Sequence, residues 1–266
     1  MNLYTLGTSH GDSTFCRFNS CNVYQTESGA LYMVDAGAPA EALLRRRGLR
    51  VQDLRAVFIT HMHDDHVGGI SGVIKHLIKY PGEKLSPVAL YLPEGKAIAA
   101  LQGWMLAMHE PAMDSRFSYR CVEDRVIYED EELEVTALRT RHLRTLGRTQ
   151  GDPCSFAYSL YFKKEDRRVL HTGDLSRDFS DFPAVAQTQY FDLCLCEATH
   201  YQPEDAMGTL AGARFGRMVL THIADRWHTR VGARWEVDDG EGRLLAACKD
   251  LPYPVQVAHD GDVFRL

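Results

Sequence analysis

Between residues 58 and 70 the chain reads FITHMHDDHVGGI, which sets His61, His63, Asp65 and His66 within six positions. Imidazole nitrogens and carboxylate oxygens are borderline to hard donors suited to zinc, manganese or iron, and no cysteine stands nearby to close a thiolate site. His61 and His63, two residues apart, project from the same side of an extended segment and can meet one ion. Asp65 and His66 are adjacent beyond a turn and must diverge from that pair, which makes two neighbouring ions plausible. With this chain's histidine content a His-x-His-x-Asp-His string arises by accident in about one chain per thousand. Gly68 and Gly69 behind it permit a tight turn or a close backbone approach. Asp64 is expected to point away from both ions.

The elements that must hold this loop follow from the surrounding pattern. NLYTL, NVYQT and LYMVDAG are short β-branched or aromatic runs bounded by Gly, Asn and Ser, and read as a meander. Residues 39 to 47 form a helix with Pro39 in its first turn and Gly48 after its end. LRAVFIT is a buried strand, the histidine run a loop, and residues 70 to 78 a helix that stops at Pro81-Gly82. PVALYLP and EGKAIAALQGWMLAMHE repeat strand and helix. RFSYRCV, RVIYE, LEVTALRT, SFAYSLYF and RRVLHTGD begin a second strand-rich half, to which FDLCLCEA and RMVLTHI add strands. QVAHDGDVFRL reads as a closing hairpin across Asp260-Gly261. Two strand-rich halves flanked by helices predict packed sheets with helices outside. No linker, charge block or repeat divides the chain, so residues 1–266 read as one domain.

The composition sets limits on function. With 266 residues, 45% hydrophobic and 25% charged, the chain is of ordinary globular type. A net charge of −6 is the wrong sign for a broad phosphate-gripping face. Seven cysteines, odd in number and without a Cys-x-x-Cys, and an opening without a basic-then-apolar leader predict reduced thiols in a cytoplasm. No apolar run reaches the roughly 18 residues a membrane helix needs.

THMHDDHVGGI after an apolar strand resembles the signature of the metallo-β-lactamase superfamily. Asp35 in YMVDAG, His142 in LRTRHLRT, Asp174 in LHTGDL and His222 in VLTHIADRW resemble its remaining motifs, in order, over roughly residues 3 to 228. The resemblance implies an α/β fold, an αββα sandwich of two mixed sheets with helices outside and a two-metal site at one edge. It assigns His61, His63 and His142 to one ion, Asp65, His66 and His222 to the other, and Asp174 as the bridge, with Asp35 supporting the metal loop. Each ion keeps a position open for a shared water or hydroxide, and Asp65 both holds metal and orients that nucleophile. Two divalent cations about 3.5–4 Å apart lower the pKa of a bridging water and clamp the oxygens of an in-line displacement. Zinc is the expected metal, with manganese or iron as alternatives. The oxygen-reducing di-iron branch would carry a glutamate where His63 stands.

The local wording resembles the ribonuclease Z branch and the related cyclic phosphodiesterases: YTLGTSHGDSTFCRFNSCNVYQ at the start, SFAYSLYFKKEDRRVLHTGD in the middle, then CEATH with Glu197 and LTHIADRW with Arg226. That likeness implies phosphodiester hydrolysis, with the leaving-group acid drawn from His200, Glu197 or metal-bound water. Arg139, Arg141, Arg144 and Arg148 surround His142, and guanidinium forks suit phosphate better than a neutral lactam or thioester. Arg141, Arg144 and Arg226 are the expected substrate contacts, whereas Arg45, Arg46 and Arg47 complement a helix end. No Gly-Pro-rich basic arm for transfer RNA is present, and the stretch between Glu197 and His222 is short for ribonuclease Z and lacks its histidine. The expected partner is therefore a small anionic phosphodiester, such as a cyclic nucleotide or nucleotide-like ester, with neither nucleic acid nor membrane. The competing reading is a carboxyl-ester, lactone or thioester hydrolase, which has no need of those arginines; a transfer RNA 3′-processing endonuclease or a non-catalytic metal-binding module ranks lower. A homodimer stays open: Trp104, Met105 and Met108, at helical spacing, read as core or subunit contact. His10, Asp12 and Arg17 are candidates for substrate contact or turn chemistry, and Asp225, Trp227 and His228 for the pocket rim. Cys194 and Cys196 share one strand face and read as buried.

Overall fold

The computed structural model describes residues 1–12, 14, 16–80, 86–145, 154–227, 229–231, 234–236 and 239–266. The strands of the first half are β1 (Asn2–Gly7), β2 (Cys21–Gln25), β3 (Leu31–Ala36), β4 (Leu54–Phe58), β5 (Val88–Leu92) and β6 (Phe117–Cys121). Those of the second are β7 (Val126–Glu129), β8 (Leu133–Thr140), β9 (Ser155–Phe162), β10 (Arg167–His171), β11 (Leu193–Ala198), β12 (Met218–Ile223), β13 (Thr229–Val231), β14 (Arg234–Glu236), β15 (Val255–Val257) and β16 (Asp262–Arg265). One sheet has the order β16-β1-β2-β3-β4-β5-β6, the other β15-β12-β11-β10-β9-β8-β7; β13 and β14 pair by themselves.

Period-two alternation builds three apolar layers. Along β2 and β3, Cys21, Val23, Leu31 and Met33 face outward to the helices, while Tyr24, Tyr32 and Val34 face the other sheet. Along β11, Leu193 and Leu195 point between the sheets, and Cys194 and Cys196 point outward. Both faces of these strands are covered, which is why they read as continuous apolar runs. Phe58, fully buried, stacks on Tyr91 with ring centroids 5.2 Å apart; burying such a ring stabilises by about 1.5–3 kcal/mol.

Helices α1 (Ala40–Arg46), α3 (Ile70–Lys79) and α4 (Gly95–Ala107) cover the first sheet, and α6 (Pro203–Gly212) and α7 (Asp239–Ala247) the second. Helix α3 buries Ile70, Val73, Ile74 and Leu77, the spacing of one helical face. Two single-turn helices, α2 (Asp64–Val67) and α5 (His142–Thr145), stand at one edge. The αββα sandwich expected from the resemblance is thus the observed fold.

Three readings of the chain need correction. The closing segment is not a hairpin: β15 pairs with β12 in one sheet and β16 with β1 in the other. The turn between them crosses sheets because the Asp260 carboxylate accepts Thr8 N–H at 2.9 Å, Thr8 Oγ1 at 2.7 Å and Phe18 N–H, which ties it to the opening loop. β6 joins the first sheet, parallel to β5, and not the second half. Helices α6 and α7 were not anticipated; both are short, and their apolar faces hold few large side chains. Pro81 and Gly82 lie outside the described residues. Among the described residues no helix is long and apolar enough to cross a membrane.

Strand direction decides where the site forms. β3 and β4 are parallel, as are β10, β11 and β12, and β8 runs with them because β9 is antiparallel to both β8 and β10. The carboxyl ends of these six strands therefore meet at one edge. There the sheets are stitched by Phe156 N–H to Thr60 O at 3.0 Å and Ile223 N–H to Thr8 O at 2.9 Å.

Candidate metal centre

The loop after β4 is fixed from below by Asp35 at the end of β3. Its carboxylate accepts Thr60 N–H at 2.8 Å, Thr60 Oγ1 at 3.0 Å and His66 Nδ1–H at 2.7 Å. Asp35 holds φ +61°, in the left-handed region that aspartate tolerates better than most residues. Gly37 lets the loop come close: a Cβ there would strike the Asp65 carbonyl oxygen. Gly69 packs its backbone on Gly37 and Ala36, the close approach expected of the glycine pair.

Hydrogen bonding fixes the tautomer of each histidine. The Thr60 hydroxyl gives its proton to Asp35, so it accepts from His61 Nδ1 at 3.1 Å. The Leu175 carbonyl can only accept, which places the proton of His142 on Nδ1 at 3.2 Å. Thr199 Oγ1 donates to the His222 carbonyl oxygen and so accepts from His222 Nδ1 at 3.1 Å. His61, His66, His142 and His222 thereby turn bare Nε2 atoms inward. His63 offers Nδ1, 2.8 Å from His61 Nε2 and 3.4 Å from His142 Nε2.

These atoms fall into sets of mutually close donors: His61, His63, His142 and Asp174; Asp65, His66 and His222; and Asp174, Glu197, His200 and His222. Asp174 is shared. Its Oδ2 lies 3.6 Å from both His61 Nε2 and His142 Nε2, and its Oδ1 lies 3.3 Å from His66 Nε2 and 3.5 Å from His222 Nε2. Oδ1 is buried without a hydrogen bond, and lone pairs of His66 and His222 face each other across 3.1 Å. Buried acceptors turned on one another without donors are what a divalent cation satisfies. The residues fit a divalent-metal site.

The electrostatics agree. Burial, and then neighbouring imidazoles, push the pKa of His61 well down; His63 and His142 are lowered mainly by burial, so these three stand neutral and ready to ligate. Burial works against ionising Asp65 and Asp174, but the facing histidines outweigh it and hold both as carboxylates. His66 goes the other way: Asp174, Asp35 and Asp65 overcome its burial and raise its pKa, so a proton and a cation compete for its Nε2.

Glu197, at the end of β11, and His200 form a pair at the rim. Glu197 accepts Leu175 N–H at 2.6 Å, Thr199 N–H and His200 N–H at 3.0 Å, and His200 Nδ1–H at 2.8 Å. Burial opposes charge on His200, yet Glu197 and Asp174 raise its pKa to about 9. His200 thus stands against Glu197 and, at 3.7 Å, against Asp174 Oδ2, even though it follows Glu197 by only three residues.

The arginines separate. Arg226 donates to the carbonyls of Thr199 at 2.7 Å and Tyr201 at 2.6 Å, so its guanidinium braces the His200 loop where a substrate contact was expected. Trp227 supports the same loop through Nε1–H to Ala198 O at 2.8 Å. Arg139, Arg141 and Arg144 are exposed beside His142, Arg141 donating to Ser180 Oγ; Arg148 and His228 lie outside the described residues. Arg17 is buried and donates to Thr8, Ala258 and Glu241, which ties the opening loop to the end of the chain. His10 pairs with Asp225 at 2.9 Å, and Asp64 is exposed. Thr60 and Thr199 were missed in the sequence, although each abuts a proposed ligand or its partner: Thr60 precedes His61, and Thr199 lies inside CEATH.

An αββα sandwich with histidines and carboxylates converging at the strand ends defines a protein of metallo-β-lactamase fold. The chain belongs to the family described as anti-Pycsar protein Apyc1, whose model matches residues 1–236. It is 32% identical over 146 residues to the ribonuclease Z of Pseudomonas putida strain GB-1, a match covering 53% of this chain and 44% of that relative. The chain thus spans less than half the length of the curated relative it matches. Its structure superposes on the metallo-β-lactamase fold protein YhfI from Bacillus subtilis with a TM-score of 0.74 at 17% identity, covering 99% of both chains. The short form of human tRNase Z gives a TM-score of 0.70 at 22% identity, covering 100% of this chain and 99% of the other. The expected superfamily, and its place near the ribonuclease Z branch, are borne out.

Proposed function

We propose that residues 1–266 form one metallo-β-lactamase-like domain, a cytoplasmic metal-dependent phosphodiesterase acting on a small phosphodiester, a cyclic nucleotide or nucleotide-like ester. Two divalent ions, zinc or in its place manganese or iron, would be held by His61, His63 and His142 on one side and Asp65, His66 and His222 on the other, with Asp174 common to both. Bound there, they supply Lewis acidity and a nucleophilic water of lowered pKa. The observation that carries the reading is the Glu197–His200 pair set against this cluster. Phosphodiester cleavage expels an alkoxide, which needs a positioned proton. Glu197 takes the Nδ1–H of His200 and leaves Nε2 to protonate that oxygen. Asp65, its carboxylate held ionised by His66 and His222 against its burial, orients the attacking water as a hydrogen-bond acceptor. Arg141 and Arg144, exposed beside His142, are placed to meet non-bridging phosphate oxygens. The match to a ribonuclease Z supports phosphodiester chemistry, and a net charge of −6 supports a small substrate over a folded RNA.

The test is a substrate panel with zinc or manganese added. Bis(p-nitrophenyl) phosphate and cyclic nucleotides should be turned over, and Asp65→Ala should abolish both. His200→Ala should cost about 10²-fold or more on a nucleotide ester but far less on the p-nitrophenyl ester, whose leaving group needs no acid. Brisk lactone or thioester hydrolysis without phosphodiester turnover would sink the proposal.

A further inference from the structure

Residues 175–182, LSRDFSDF, follow Asp174 and run past three other parts of the centre. Leu175 donates its N–H to Glu197 Oε1 at 2.6 Å and accepts His142 Nδ1–H on its carbonyl at 3.2 Å. Phe179 then reverses the chain with φ +56°, a left-handed conformation that bulky side chains avoid. Its ring stacks on Phe182, centroids 4.8 Å apart, and packs on Tyr201 at 4.4 Å, so buried contacts over-determine the bend. The bend returns Asp181 to the start of the loop, where its Oδ1 accepts Ser176 N–H at 2.9 Å and its Oδ2 accepts Arg141 N–H at 2.6 Å. Asp178, by contrast, accepts from Ser176 and Ser180 of its own loop.

We infer that Asp181 is a positioning residue, whose carboxylate fixes the turn that presents His142 against the loop that presents Asp174. The turn needs such a tether, because the β8–β9 ladder ends at Thr140 and Ser155 and His142 lies beyond it. Arg141 N–H on Asp181 and His142 Nδ1–H on Leu175 O anchor two successive residues to one loop, and Leu175 N–H anchors that loop to Glu197. The His142 ring is thereby held with Nε2 3.6 Å from Asp174 Oδ2. Each carboxylate oxygen of Asp181 serves a different segment, so an asparagine cannot replace it: in either orientation its NH₂ would face an N–H donor. Groups that orient a ligand in this way are worth about 10–100-fold in metal affinity. The inference rests on the metal centre proposed above, but on neither the phosphodiester substrate nor the leaving-group acid.

Two readouts on the full chain test it. In competition with a chelating dye, Asp181→Ala and Asp181→Asn should each weaken one of two bound zinc equivalents by about 10–100-fold. Asp178→Asn, which removes a carboxylate serving its own loop, should bind zinc as the wild type does. The second readout needs no metal. In metal-free protein with isotope-labelled histidine, the His142 Nδ1–H resonance, identified by its loss in His142→Ala, should be protected from solvent exchange in the wild type and in Asp178→Asn. In both Asp181 variants it should exchange freely, while far-UV circular dichroism stays unchanged because Asp181 lies at the rim and only partly buried. Either readout unmoved in the Asp181 variants overturns the inference, and so does an equal loss in Asp178→Asn, which would make the effect one of loop stability. A wild type that binds no zinc would refute the proposed function, and the Nδ1–H comparison would still decide whether Asp181 holds His142.

Discussion

Asp35 touches no proposed substrate or ion position, yet it sets the state of the ligands. One carboxylate collects the Thr60 amide, the Thr60 hydroxyl and His66 Nδ1, all inside a fully buried pocket. Asp35→Asn keeps the shape but removes the charge that pins the His66 proton to Nδ1. Supporting partners of this kind are worth about 10–100-fold in metal affinity, so competition against a chelating dye should show a loss of that size while far-UV dichroism stays the same. Unchanged affinity would mean that His66 is oriented by packing alone. At this scale the sequence was most informative about residues whose chemistry is unusual: His61, His63, Asp65 and His66 announce themselves by type and spacing. It was least informative where a common residue acts through geometry. Nothing in the type of Arg226 distinguishes a guanidinium that binds phosphate from one that braces the Thr199 and Tyr201 carbonyls. The spacing of CEATH does not show that the chain folds back far enough after Glu197 for His200 Nδ1 to reach its carboxylate.

Elements were legible where both faces of a strand are buried, since such runs are apolar throughout, and where a helix buries one stripe, as α3 does. The ends of the chain were not, because β15 and β16 are short and only long-range pairing tells which sheet each joins. That pairing is locked by a clasp. Arg17 Nη2 and His259 Nε2 both donate to Glu241 Oε1 on α7, at 2.6 and 3.0 Å. The hydrogen bond to Glu241 raises the pKa of His259 above its ordinary 6.5; burial and Arg17 oppose it, and Asp262 assists. Burial would raise the pKa of Glu241, but His259 and Arg17 bring it below its ordinary 4.5. The histidine's contribution is full below pH 6.5 and fades as pH rises through its folded value. The glutamate's is full above pH 4.5 and fades as pH falls through its own, so the clasp is strongest between those limits. His259 is half exposed, which keeps the effect small. His259→Asn should lower the melting temperature by on the order of 1–2 °C at pH 5.5 and by less at pH 8.5. An equal difference at both values would show that the histidine contributes by packing and not by charge.

Viewed as a whole molecule, the centre joins the two halves of the sandwich. His61, His63, Asp65 and His66 come from the first sheet's edge, and His142, Asp174 and His222 from the second's. Each proposed ion would therefore take ligands from both sheets, and the two sheets otherwise meet at this edge through a few backbone hydrogen bonds such as Phe156 to Thr60. Without cations the same edge gathers buried Asp35, Asp65, Asp174 and Glu197, whose charge the raised His66 and His200 offset only in part while His61, His63 and His142 stand neutral, an arrangement that low dielectric disfavours. Metal should accordingly act as a strap on the fold, and the unfolded chain, with these ligands dispersed, offers no comparable site. At free metal about 1,000-fold above its dissociation constant, the linkage amounts to about 4 kcal/mol. In a chain of this size that corresponds to a rise in melting temperature on the order of 10 °C. Calorimetry before and after exhaustive chelation should show that fall, and readdition of zinc should restore it, saturating at two equivalents. Hydrogen exchange should speed up together in the loops after β4 and β12, because they would share an ion although they lie in different sheets. If chelation left the melting temperature unchanged, or loosened only one sheet's loops, no ion would be bridging the sandwich and the sharing of Asp174 between two ions would be wrong.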